Sequence, residues 1–129
     1  MTDMLDLSAI KSTNRVVPIL NPATGEPTGL EWELAALDSD EAKAVTRRIT
    51  DKRNKLAARG KVFTADEIDA NETDLLVAVS KGWKWGGSAA WHGEKPTFNA
   101  KNVKEVAAQP FIRSQLVEAL DDTQGFFQK

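Results

Sequence analysis

Few side chains in this 129-residue sequence are of the types that carry out catalysis. Histidine titrates near neutrality, so the single histidine, His92, is the first candidate for a general base. It lies between Trp91 and Gly93 in a glycine-rich stretch, and no nucleophile-elbow pattern surrounds it. We therefore do not expect His92 to be catalytic.

Two other patterns are of the kind that binds ions or phosphates. The carboxylates between residues 66 and 74 lack the spacing and the glycine of an EF-hand calcium loop. The glycines between residues 82 and 87 match neither the P-loop nor the dinucleotide-binding fingerprint. The chain has no cysteine, and one histidine cannot form a paired-histidine metal site. The sequence therefore predicts a protein that is not an enzyme, with no catalytic residue, cofactor or metal ion.

A basic segment, residues 47–61, has the composition of a phosphate-binding surface. It contains seven basic residues and one acidic residue, and Arg48, Lys52 and Lys55 share one face of a predicted helix. Such a stripe could contact a nucleic-acid backbone. The whole chain, however, has a net charge of −2, and it contains no helix-turn-helix or RNA-binding signature. Nucleic-acid binding is therefore a minor alternative to protein binding.

The charges are divided between two neighbouring segments of opposite sign. Residues 38–61 carry eight basic and four acidic groups, a net +4, whereas residues 62–81 carry one basic and five acidic groups, a net −4. Complementary charges of this kind select partner and register. We expect these segments either to lie against each other, within one chain or between subunits, or to form two separate solvated helix faces.

Large aromatic side chains are concentrated in two places. Trp83, Trp85 and Trp91 lie in a glycine-rich stretch, and Phe126 and Phe127 lie near the end of the sequence. Tryptophans in such a stretch fill the core or anchor a partner. We expect one or two of the three tryptophans in the core and one at an interface, whereas the two phenylalanines dock either on the domain or on a partner.

The overall composition is that of an ordinary soluble domain. Hydrophobic residues make up 41% of the chain and charged residues 28%. The absence of cysteine suits a reducing cytoplasm. The first residues lack the basic start and apolar core of a signal peptide, and no apolar run is long enough to cross a membrane. We therefore expect neither secretion nor membrane association.

The N-terminal third of the chain predicts a flexible arm and a β-hairpin. Residues 1–15 have no sustained periodicity and are predicted to be flexible. Val16–Leu20 is a short apolar run, residues 21–29 are rich in turn-forming proline and glycine, and Leu30, Trp32 and Leu34 alternate with glutamates. This pattern predicts a hairpin over residues 16–34. Pro18 lacks an N–H donor, which predicts an edge position for the first strand.

The remainder of the chain predicts four helices, over residues 39–59, 64–81, 99–109 and 111–121. Asp38 with Glu41, and Thr64 with Glu67, have the spacing of capping boxes. Residues 82–97 are predicted to form a loop and residues 121–129 a polar tail. The predicted fold is α+β and helix-dominated: an N-terminal β-hairpin followed by about four helices, in a single domain over residues 16–120.

A protein with these features is equipped for contacts with other proteins. An edge strand can accept another strand, and an apolar groove can accept an amphipathic helix. We therefore predict self-association. The candidate interface residues are Val16, Val17, Ile19, Arg48, Lys52, Lys55, Trp85, Trp91, Phe126 and Phe127.

The order of these motifs resembles one viral protein family. The Asn21–Gly29 turn between two strands, an arginine-rich helix, the Thr64-Ala65-Asp66-Glu67 helix start, Gly82-Trp83 and Phe98-Asn99 are together similar to the tail assembly chaperones of long, non-contractile-tailed bacteriophages and related prophages. The resemblance covers about residues 16–120, and its weight lies in the combination of motifs and not in any single one.

The resemblance implies a non-enzymatic role in the host cytoplasm. Such chaperones bind the tape measure protein, keep it soluble, help to recruit tail tube subunits, form homo-oligomers and are absent from the finished virion. A programmed ribosomal frameshift near the end of the gene gives a second, C-terminally extended product, with which the Gly125–Lys129 terminus is compatible. The alternatives are a structural tail completion or connector protein of the virion, and a nucleic-acid-binding regulator that uses Arg47–Lys61.

Overall fold

The structure, a computed structural model, describes residues 4–127. The first three residues of the predicted arm, and Gln128 and Lys129 of the predicted tail, lie outside the described residues. The elements, in chain order, are β1 (Arg15–Leu20), β2 (Pro27–Leu34), α1 (Asp40–Ala57), α2 (Ala65–Val79), β3 (Ser80–Trp85), α3 (Ala100–Ala107) and α4 (Pro110–Asp121). Single 3₁₀ turns flank them at Leu7–Ala9 and Thr123–Phe126. The α+β class and the hairpin followed by four helices are confirmed.

The sheet has three antiparallel strands in the order β1-β2-β3. As the alternating pattern predicts, Leu30, Trp32 and Leu34 of β2 are buried and Glu31 between them is exposed. β1 is an edge strand, as Pro18 predicts. In the pairing of β2 with β3, Trp32 lies opposite Trp83 and Leu30 opposite Trp85.

The third strand was not predicted, and the prediction of a helix to residue 81 followed by a loop is wrong at this point. α2 ends at Val79, and Ser80 adopts an extended conformation with φ −76° and ψ 120°. The Ser80 hydroxyl donates to the Leu76 carbonyl at 2.6 Å and accepts from the indole N–H of Trp32 at 2.8 Å. Ser80 thereby ends the helix and attaches the new strand to the centre of the sheet.

The helix starts are set by local capping. Thr64 and Glu67 form the predicted capping box of α2. The backbone N–H of Thr64, and secondly its hydroxyl, bond the carboxylate of Glu67 and hold its pKa below the ordinary value. Asn99 caps α3, and Pro110 occupies the first turn of α4, where a missing N–H donor is harmless. The N-cap of α1 is Ser39 and not the predicted Asp38.

The core lies between the sheet and helices α2, α3 and α4. Its largest fully buried side chains are Trp32, Phe126, Ile19, Leu34, Leu76 and Leu116. α1 contributes only Ala42 and Val45 from its first two turns. From Thr46 onwards every residue of α1 is exposed or half-buried, so most of this helix lies against α2 and away from the core.

Parts of the segments on both sides of the predicted domain are bonded to it, through Thr13 and Arg15 on one side and Phe126 on the other. Phe126 is 1% exposed, and its carbonyl accepts from the backbone N–H of Thr13 at 2.6 Å. The Arg15 guanidinium donates to the Ala119 carbonyl and to Asp122, and it lies 5.8 Å from the centre of the Phe126 ring. The folded domain thus includes residues that the sequence assigned to the arm and the tail. Residues 4–10, by contrast, are all exposed.

Candidate partner-binding groove

Two tryptophans, Trp32 and Trp83, form an inner pair at the middle of the sheet. Their rings meet edge to face with centroids 5.1 Å apart, and Trp83 makes similar contacts at 5.5 Å with Trp85 and with Phe98. Both indole N–H groups of the inner pair are bonded: Trp32 donates to Ser80 and Trp83 donates to the Pro96 carbonyl at 3.1 Å. Trp32 is thus fully buried and Trp83 half-buried, and both have satisfied polar atoms.

Trp85 and Trp91 form an outer pair in a different environment. Both are half-buried, and both line an apolar groove of about 160 Å³. Neither indole N–H has an acceptor among residues 4–127, although both nitrogen atoms are out of contact with water. A buried donor without an acceptor costs about 1–3 kcal/mol. The groove walls are completed by Ile19, Thr28, Leu30, Ala89, Ala90, Phe111 and Ile112.

The loop that carries Trp91 is held in place by its own hydrogen bonds. Trp91 and Glu94 exchange backbone hydrogen bonds of 2.7 and 3.1 Å across a tight turn. The Lys95 ammonium donates to the carbonyls of Trp85 and Gly87 at 2.7 and 3.0 Å. Trp91 is therefore carried by a hydrogen-bonded loop that follows β3, within the stretch that the sequence predicted to be a loop.

His92 lies in the same turn. Its φ of +51° places it in the left-handed region, which a non-glycine residue adopts rarely. Its ring meets the Trp91 ring edge to face at 5.2 Å. His92 is therefore part of the turn that carries Trp91. That His92 has no catalytic role stays a prediction.

Three of the predicted interface residues have side chains in the core. Val17, Ile19 and Phe126 are 7%, 1% and 1% exposed. Side chains alternate between the two faces along β1, so those of Val17 and Ile19 point into the core. The side chain of Val16, which precedes Val17, is 53% exposed. These three side chains are therefore not offered to a partner, which corrects the predicted interface, although Ile19 does contribute to the wall of the groove.

The outer edge of β1 is also less open than predicted. The Gln115 side chain of α4 accepts from the Leu20 N–H at 2.7 Å and donates to the Leu20 carbonyl at 2.8 Å. Pro18 has no donor to offer. A further strand would therefore find few backbone groups to pair with along this edge.

The remaining predicted residues lie at two other places. Arg48, Lys52 and Lys55 line an exposed face of α1. Phe127 is half-buried and lines a small notch with Leu37, Leu120 and Phe126. Neither set contacts the tryptophan groove, so the ten predicted residues do not form one surface.

The groove walls that the sequence did not single out come from distant segments. Thr28 precedes the centre of β2, Ala89 and Ala90 follow β3, and Phe111 and Ile112 begin α4. Each is an ordinary residue in its own segment, and only the folded chain brings them together. No local pattern marks them.

Residues 4–127 contain no group of three or more histidine, aspartate and glutamate side chains arranged to hold a metal ion. In the same range, no helix combines the length and the apolar character that crossing a bilayer requires.

No protein-family model, no curated protein and no solved structure matches the chain.

Proposed function

We propose that this protein is a tail assembly chaperone that binds the tape measure protein of a long-tailed bacteriophage or prophage. In this proposal it acts in the host cytoplasm through protein contacts alone, without catalysis, nucleic acid or membrane. It keeps the tape measure protein soluble, helps to recruit tail tube subunits, and is absent from the mature virion. The sequence resemblance supplies the identity of the partner, and the tryptophan groove supplies a place to bind it.

The observation that supports binding is the pair of unpaired indole N–H groups beside an apolar groove. A core tryptophan normally has an acceptor, as Trp32 and Trp83 do. A groove of about 160 Å³ accommodates one or two apolar side chains and not a whole helix. A helical partner would thus lie over the groove and insert an anchoring side chain, in the helix-in-groove mode. Because both indole nitrogens are out of contact with solvent in the free chain, a carbonyl oxygen of the partner would accept from them only after the Trp85 and Trp91 side chains shift on binding.

Co-expression with the tape measure protein encoded in the same genome tests the proposal. We expect the wild-type chain to keep the tape measure protein soluble and to co-purify with it. Trp91→Ala removes the anchor surface of the groove and should reduce the co-purified amount at least about tenfold, the scale of a hot-spot residue. Val62→Ala, which truncates an apolar side chain 83% exposed and away from the groove, is the matched control and should leave co-purification unchanged.

Each alternative function gives a different result. If the tape measure protein stays insoluble and alone, the chaperone proposal is rejected. Recovery of this chain in purified particles would favour a structural tail component. Retention on nucleic acid with a steep loss in salt would favour a regulator that uses Arg47–Lys61.

The extended product is a separate part of the proposal. The segment Gly125-Phe126-Phe127-Gln128-Lys129 is compatible with codons on which a ribosome slips. Sequencing the gene tests this directly, because the absence of a slippery run in the codons of this segment would exclude the frameshift there.

A further inference from the structure

One face of α1 carries positive charge that residues 4–127 neutralise only in part. Six residues spaced three and four apart form a single stripe along the helix, which we name the basic stripe: Ala44, Arg47, Arg48, Asp51, Lys52 and Lys55. Its formal charge is four basic minus one acidic, or +3. Among the described residues, the ion pairs of this stripe are limited to Arg48 with Asp74, at 3.6 Å.

A groove between α2 and α4 carries the opposite charge. Four carboxylates and one guanidinium line it, giving a formal charge of −3, and its volume is about 720 Å³. We name it the acidic groove; its residues are Asp69, Glu72, Ala108, Pro110, Arg113, Ser114, Val117, Glu118 and Asp121. Arg113 is largely covered, because it bonds Glu72 at 2.5 Å and Asp69 at 3.2 Å. Glu118 and Asp121 have no ion-pair partner among residues 4–127.

The position of these two acids works against the helix that carries them. They lie in the last turn of α4, which contains no basic residue. The C-terminal end of a helix carries partial negative charge, so cations stabilise it and carboxylates do not. Arg15 supplies a cation at this helix end by donating to the Ala119 carbonyl and to Asp122, but it does not pair with Glu118 or Asp121, whose charges therefore remain available to a cation outside the fold.

Among residues 4–127, no ion pair joins the two charged surfaces within one copy. Every residue of the basic stripe belongs to α1, whereas the acidic groove is formed by α2, α4 and the residues between α3 and α4. They share no residue. The floor of the acidic groove is apolar at Ala108, Pro110 and Val117, which allows close approach of a helix that bears a small residue such as Ala44.

We propose that the basic stripe of one copy docks in the acidic groove of a second copy. The formal charges of +3 and −3 balance, and the stripe extends over twelve residues, about 17 Å, a length that matches the twelve-residue α4. Because the two surfaces differ, the contact is heterologous and leaves one free stripe and one free groove on each pair. Repetition therefore produces a closed ring or an open filament. This inference does not depend on the proposed chaperone function.

Reciprocal charge reversal in the full chain tests the contact. The stripe variant is Lys52→Glu with Lys55→Glu, and the groove variant is Glu118→Lys with Asp121→Lys. Sedimentation velocity at low salt, about 50 mM, should show wild-type species larger than a dimer that dissociate at about 500 mM salt. Each variant alone should associate at least about tenfold more weakly. An equimolar mixture of the two should recover complexes, because the intact groove of one variant accepts the intact stripe of the other.

Two control variants make the result specific to these surfaces. The first control, Lys11→Glu with Lys84→Glu, has the same net charge as the stripe variant, −6. The second, Glu26→Lys with Glu31→Lys, has the same net charge as the groove variant, +2. All four positions are exposed and lie outside both surfaces. Both controls should assemble as the wild type does. A wild type that stays monomeric, controls that dissociate like the variants, or a mixture that stays monomeric would each overturn the proposal. Recovery in the mixture also shows that both variants are folded.

Discussion

The inner and outer pairs of tryptophans pack against the same hydrophobic core, yet they differ in how their polar atoms are used. In the inner pair, Trp32 and Trp83, each indole N–H has an acceptor, and Trp32 is fully buried. In the outer pair, Trp85 and Trp91, neither N–H has one among residues 4–127. Trp83 contacts both Trp32 and Trp85, so the change occurs over a single ring. The difference separates two tryptophans whose polar atoms are satisfied within the fold from two whose polar atoms are not.

The largest expected effect is at Trp32. Trp32→Ala should lower the free energy of unfolding by about 3–5 kcal/mol, because it leaves a cavity at the centre of the sheet and removes a buried hydrogen bond. Urea denaturation followed by circular dichroism measures this. A loss below about 1 kcal/mol would contradict the assignment of the inner pair to the core.

The second-largest loss of stability is expected from a backbone contact that helps to position both pairs of tryptophans. Gly29 has a φ of +102°, and a Cβ at this position would collide with the carbonyl oxygen of Gly86, at the end of β3. Gly29→Ala should therefore cost about 2–4 kcal/mol. Gly25→Ala is the matched control, since Gly25 also has a positive φ, +76°, but meets nothing within 4 Å. It should cost about 1 kcal/mol. Equal losses at the two positions would show that the approach of β2 to β3 is not what matters.

A smaller effect is expected at Trp83. Trp83→Phe keeps an aromatic ring against Trp32 but removes the donor to the Pro96 carbonyl. The free energy of unfolding should fall by about 1–2 kcal/mol, whereas co-purification with the tape measure protein should be unchanged among the folded molecules. If Trp83→Phe lost the partner without losing stability, the inner and outer roles would be reversed.

The sequence predicted the parts of this cluster that depend on local pattern. The alternation of Leu30, Trp32 and Leu34 with glutamates identifies β2 and its buried face. β3 was not predicted because Gly82 within it, and Gly86 and Gly87 after it, give this stretch the composition of a loop. The alternation of Trp83 and Trp85 around Lys84 was the available signal, but the strand depends on pairing with β2, which is distant in sequence.

The candidate groove was likewise predictable only where it depends on local sequence pattern. Trp85 and Trp91 stand out because an exposed glycine-rich segment rarely carries so many tryptophans. Which of the three would have unpaired N–H groups depends on contacts such as that of Trp83 with the Pro96 carbonyl, and the sequence does not reveal such contacts. The burial of Ile19 and Phe126 likewise depends on the docking of distant elements.

The smallest effect on stability, and the most informative one, is expected in the outer pair. Trp85→Phe and Trp91→Phe remove an indole N–H that has no acceptor among the described residues, so no hydrogen bond is lost in the free chain. The smaller ring gives up some apolar contact, but the relief of an unsatisfied donor offsets it, and the free energy of unfolding should change by less than about 0.5 kcal/mol.

The same two variants should weaken binding to the tape measure protein, because the partner then loses a donor that the groove offers. Urea denaturation and co-purification are measured on the same preparations, with Trp83→Phe as the matched control that removes a satisfied N–H. Loss of stability in the outer variants would mean that their N–H groups have acceptors in the free chain. If stability and binding are both unchanged, these N–H groups take no part in partner recognition, and only the apolar walls of the groove act as the anchor.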